Sequence, residues 1–77
     1  MPNFYFDVVA GEVLLPDEEG LDLPDVAAAE REAADTVAML AREYLHRSSM
    51  RPVVVAVRDS EGQRLMVVTC ALTIWRG

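Results

Sequence analysis

One segment dictates the layout of this chain. From Val26 to about Arg47 the sequence is alanine-rich with interleaved charges, a composition that favours helix. At 100° per residue, Val26, Ala33, Val37, Leu40, Ala41 and Tyr44 fall on one stripe. Glu32, Asp35, Arg42, Glu43 and His46 fall opposite. The helix is expected over about 24–47, with Pro24 in the first turn, where its missing N–H costs nothing. Asp22 is the expected N-cap, and Asp25 suits the positive end of the dipole. A single helix of this kind must bury its stripe against something, and the flanking sequence says what.

Before the helix, Asn3 to Val9 mixes aromatic and β-branched residues and reads as a strand. Period two sets Phe4, Phe6 and Val8 on one face, toward the core, and Tyr5, Asp7 and Val9 on the other. Ala10-Gly11 turns the chain and Glu12–Leu15 returns it, ending at Pro16. An acidic loop, 17–23, leads into the helix. After it, Ser48-Ser49 forms a loop and Pro52–Arg58 a strand. Asp59-Ser60-Glu61-Gly62 has the order of a type I turn followed by a left-handed residue. The last strand, about 63–75, is apolar on both faces: Leu65, Val67 and Ala71 one way, Met66, Val68, Cys70, Leu72 and Ile74 the other.

Two hairpins around one helix predict an α+β domain, ββαββ: a four-stranded sheet with the helix on one face. The expected strands are about 3–9, 12–15, 52–58 and 63–75. A strand apolar on both faces belongs inside a sheet. The last strand is therefore expected beside the first, in the order 2-1-4-3, with a right-handed crossover through the helix. One helix leaves the other sheet face uncovered, presenting Tyr5, Val9, Val54, Ala56 and one apolar set from the last strand. Such a face points to an interface, and long arginines such as Arg58 and Arg64 are its available screen.

At 77 residues the chain makes one domain, small enough that a partner subunit would assist its stability. Cys70 is the only cysteine, so no disulfide forms within the chain. No run approaches a membrane span and no signal-peptide pattern opens the sequence. With the lone thiol, these features place the chain in the cytoplasm as an expectation. The net charge of −6 opposes attraction to nucleic acid. It divides unevenly: residues 1–40 hold ten acids against Arg31, whereas residues 41–77 hold six arginines against Glu43, Asp59 and Glu61.

No residue set carries an evident reaction. Asp17, Glu18, Glu19, Asp22 and Asp25 crowd the acidic loop, but without EF-hand spacing they read first as a solvated turn and cap. His46 lacks a nucleophile context beside Ser48 and Ser49. Cys70 reads as a small core hydrophobe. Arg42, His46, Arg47 and Arg51, with Arg58 and Arg64, read as dipole complementation and a soluble basic edge rather than a nucleic-acid surface. The expectation is a non-enzyme with no cofactor and no metal. The candidate interaction residues are Asp17, Glu18, Glu19 and Asp22 in the loop and Tyr5, Val54 and Ala56 on the open face.

The segments Phe4-Tyr5-Phe6-Asp7, Asp17-Glu18-Glu19-Gly20, Leu23-Pro24-Asp25, Ala27-Ala28-Ala29-Glu30-Arg31-Glu32-Ala33 and Val57-Arg58-Asp59 with Gly62 resemble a family of short bacterial proteins known as a domain of unknown function. The resemblance spans essentially the whole chain, and the acidic loop is its most specific part. Ala10-Gly11 stands where relatives often carry Asp-Gly. The resemblance implies a free-standing domain and no particular activity. In layout alone the chain is also similar to the small sheet-and-helix fold of some antitoxins. Three readings follow: an interaction or regulatory protein acting as a homodimer or on a protein partner, a small-molecule or metal-ion binder using the acidic loop, and an antitoxin-like nucleic-acid regulator.

Overall fold

The computed structural model describes residues 2–44, 51–73 and 75–77. The Tyr44 side chain, His46, Arg47, the Ser48-Ser49 loop and Ile74 lie outside the described residues. The elements are β1 (Asn3–Ala10), β2 (Val13–Leu15), β3 (Leu21–Asp22), α1 (Val26–Tyr44), β4 (Val53–Asp59) and β5 (Arg64–Cys70). They form an open antiparallel sheet of five strands with the helix on one face.

The α+β layout stands, but strand number and order differ from expectation. The path is β2-β1-β4-β5, with β3 also pairing β1. The strand beside β1 is therefore Val53–Asp59 and not the last one. Burial explains the choice: Val53, Val55 and Val57 are fully buried, whereas Leu65 and Val67 of β5 remain 37% and 49% exposed. Apolarity on both faces marked an uncovered edge strand here, not a central one. β5 also stops at Cys70 rather than near Trp75, because its partner begins at Val53, opposite Cys70, directly after Pro52. Since β1 and β4 are antiparallel neighbours, the right-handed rule for parallel crossovers does not apply. The fifth strand was not foreseen: two residues of the acidic loop, Leu21 and Asp22, pair with Phe4 and Asn3.

The helix is capped by Asp25, whose Oδ1 accepts the Ala28 N–H at 2.8 Å. The expected cap, Asp22, is occupied in β3, too far back in the chain to reach the first turn. The stripe that packs on the sheet is Ala29, Ala33, Val37 and Ala41, with Leu40 beside it. Val26, expected on that stripe, is 50% exposed. The periodicity gave the helix rotation correctly, but the sheet's cover begins only at Ala28 and Ala29, nearly a turn further on. Alanines let the helix approach closely, and the three β4 valines fill the contact. Each such valine contributes about 1.5–3 kcal/mol relative to exposure.

Phe4, Val8 and Ala10 join this core, with Phe6, Met66, Val68 and Cys70 half-buried against it. The β4–β5 turn follows its sequence reading. Gly62 has φ +85° and donates to the Asp59 carbonyl at 3.0 Å. Asp59 Oδ1 accepts from the Glu61 and Gln63 N–H groups, both at 2.9 Å. Leu65 is the extra residue of a bulge between the Arg58–Arg64 and Val57–Met66 pairs.

Candidate interaction face and its acidic clamp

The face opposite the helix carries Tyr5, Asp7 and Val9 from β1, Val54, Ala56 and Arg58 from β4, and Leu65, Val67 and Thr69 from β5. Leu14 of β2 extends it, lying opposite Val9 and 62% exposed. Cross-strand registers give apolar rows: Leu14, Val9 and Val54, then Ala56 and Val67. One end of the face is apolar, and the other is charged.

The charged end is built by the acidic loop folding onto β1. Between the residues that pair with β3 and those that pair with β2, the outer edge of β1 has a gap at Phe6. Asp17 fills it. One carboxylate oxygen accepts the Phe6 N–H at 3.0 Å, and the other accepts the Glu19 and Gly20 N–H groups at 3.1 and 3.2 Å. The Asp17 N–H in turn donates to Asp7 Oδ1 at 2.9 Å. Arg58 closes the unit, with Nε donating to Asp7 Oδ2 at 2.8 Å and one terminal nitrogen donating to the Asp17 carbonyl at 2.8 Å. Its guanidinium also lies 4.6 Å from the centre of the Tyr5 ring, a cation–π distance.

Gly20 completes the fit. Its φ is +75°, and a Cβ there would stand 2.5 Å from Asn3 Oδ1 and 2.9 Å from the Tyr5 ring. Only glycine meets both demands. Asn3 Oδ1 is buried at this contact without a hydrogen-bond partner.

The electrostatics follow from these contacts. The Arg58 guanidinium holds the Asp7 carboxyl below the usual carboxylate range, aided by the Asp17 N–H and opposed by burial. Burial pushes Asp17 up, but the N–H groups of Phe6, Gly20 and Glu19 outweigh it, so the net shift is downward. Arg58 is shifted up by its bond to Asp7. These acids work as acceptors inside the fold.

The structure thus separates the candidate residues. Asp17 is half-buried and committed to backbone donors, while Glu18, Glu19 and Asp22 are exposed. Tyr5 lies beneath Arg58. Val54 and Ala56 are half-buried in the middle of the open face. Among the described residues no group of three His, Cys, Asp or Glu side chains is placed to hold a metal ion. The basic edge is partly spent as well, since Arg58 pairs with Asp7 and Arg51 approaches Glu12 at 3.4 Å. Asp7 and Asn3 were not among the sequence candidates, and Arg58 was read only as a screen for the open face and part of a basic edge. The available signal was a lone acid and a lone base, each at the face opposite its strand's core residues.

An open antiparallel sheet with one helix on one face and a clamped acidic loop defines a small α+β domain. The chain belongs to DUF6894, a domain of unknown function, whose family profile matches residues 3–71. Comparison with curated proteins and with solved structures finds no match. No described helix is long and apolar enough to cross a membrane.

Proposed function

We propose that this is a small interaction or regulatory protein that works by self-association or by binding another protein, with the uncovered sheet face as its contact surface. The observation that carries this reading is the pairing of an apolar, uncovered surface with a rigid border. Leu14, Val9, Val54, Ala56 and Val67 form the surface, and the Asp7–Arg58–Asp17 unit frames it. Exposed apolar patches framed by polar groups are of the kind partners cover, and a pre-ordered border lowers the cost of ordering on contact. The acidic loop supports the small-molecule or metal-ion alternative less well, because Asp17 already accepts three backbone N–H groups. The antitoxin-like alternative loses support from the arginines engaged by Asp7 and Glu12.

Val54→Arg is the test. The long side chain can reach solvent from this face, so the circular dichroism spectrum should match wild type. Association with a second copy or a captured protein, read by light scattering or titration, should weaken at least tenfold. Unchanged association in this variant retires the face as the contact surface.

A further inference from the structure

The two long sides of the sheet differ, and the difference selects a mode of assembly. The Phe6 N–H points away from β4, to Asp17. Because N–H directions alternate along a strand, Tyr5, Asp7 and Val9 of β1 bond toward β4. Their partners Arg58, Ala56 and Val54 return those bonds, so Val53, Val55 and Val57 bond toward β5. Met66, Val68 and Cys70 answer them. The N–H and C=O groups of Val67 and Thr69 consequently point outward from β5, where the sheet ends.

Among the described residues no strand pairs this edge, and the bulge at Leu65 is the irregularity that interrupts it. From Leu65 to Trp75 the sequence is Leu-Met-Val-Val-Thr-Cys-Ala-Leu-Thr-Ile-Trp, eleven residues without a charge or a proline. Natural edges are blunted by such residues or covered by other elements. Ala71–Thr73 follow β5 outside any strand, and Leu72 and Trp75 are 40% and 89% exposed. The chain therefore offers an unpaired edge and, directly after it, a β-prone segment lacking a partner.

We propose that two copies join antiparallel along β5, each laying its Ala71–Thr73 segment against the Val67–Thr69 edge of the other, to form one continuous sheet. The inference rests on the preceding reading only in taking self-association as a mode of action, and it leaves the contact face free and doubled in extent. The register follows from two constraints. An antiparallel pair of identical strands has its two-fold axis normal to the sheet, so a residue can face only residues of its own side. Overlap of Val67–Thr73 with itself then centres on Cys70. Val68 meets Leu72 of the second copy and Val67 meets Thr73. The helix lies over β4 and β5. Its axis would meet its copy at about two strand spacings, ~10 Å, an ordinary helix–helix distance.

Cys70 reports the register directly. Its backbone points to β4, so the two copies of Cys70 would form a non-hydrogen-bonded pair with Cα atoms about 4.5 Å apart, within disulfide range. Diamide, taking up the two electrons and two protons released by the thiols, should give a disulfide-linked dimer of the full chain. Light scattering should show twice the 8.5 kDa chain mass before oxidation. Ala71→Pro removes an outward N–H beyond the last paired residue, so the single-copy fold stays intact while association falls at least tenfold and the cross-link disappears. Thr69→Pro should act alike. A wild-type chain that stays monomeric at high concentration overturns the proposal. So does a dimer that neither cross-links through Cys70 nor responds to Ala71→Pro. A dimer broken only by Val54→Arg would reject the edge seam while upholding the face.

Discussion

The two edges of this sheet are opposites. Beyond β1 the chain spends residues 11–23 on protection: β2 and β3 pair the two ends of the strand, and Asp17 answers the one N–H left between them. Beyond β5 no described element pairs, and from Leu65 through Trp75, within and after that strand, the sequence is uncharged. The same polypeptide answers the outward groups of β1 on one side and leaves those of Val67 and Thr69 in β5 unpaired within the chain on the other. Acidity at the first edge is thus a structural device: Asp17 substitutes for a strand. The comparison teaches that an acidic loop and an apolar tail, which composition alone would treat as ligand site and core, are the closed and open sides of one sheet.

The comparison breaks most severely if Asp17 is removed. Asp17→Ala leaves the Phe6, Glu19 and Gly20 N–H groups without their acceptor, and a lost buried acceptor costs about 1–3 kcal/mol. In a domain of this length each kcal/mol moves the melting temperature by roughly 4–8 °C. A fall of about 10–15 °C in thermal denaturation is expected. A change under about 3 °C would show that the loop does not secure the edge.

A smaller effect sharpens the same contrast through pH. Asp7 and Asp17 are both held below their ordinary value of 3.8 in the folded chain. Between the lowered folded values and 3.8 the unfolded chain binds more protons, so stability there rises with pH. The contribution is fully present above the unfolded value and is lost as pH falls through the folded values. Melting temperature should hold between pH 7 and 5 and decline below about 4. The decline should be shallower in Asp17→Ala, and equal slopes in the two proteins would count against the clamp.

Much of this fold was legible because its signals are local and periodic. The Asn3–Val9 alternation located Phe4 and Val8 in the core, and the helix pattern named Ala33, Val37 and Ala41. Asp59 and Gly62 specified their turn by the backbone each requires. Strand order was not legible. Pro52–Arg58 and the last strand are both apolar, and which one lies beside β1 depends on what covers each face. Nor was the clamp, since the Asp7–Arg58 and Asp17–Phe6 contacts join residues far apart in sequence. Both Tyr5 and Asp17 were candidates for contact with a partner, but Asp17's carboxylate is turned inward. Periodicity describes one element at a time, whereas a carboxylate replacing a strand is a property of two.

The most direct measurement is amide hydrogen exchange read residue by residue at low and high protein concentration. The account expects the Phe6 N–H to be protected at every concentration, because its partner lies in the same chain. The Val67 and Thr69 amides should exchange quickly when dilute and slow markedly when concentrated, because their partners lie in a second copy. Rapid exchange at Phe6, or rapid exchange at both β5 amides regardless of concentration, would contradict a protected β1 edge and an open β5 edge that pairs.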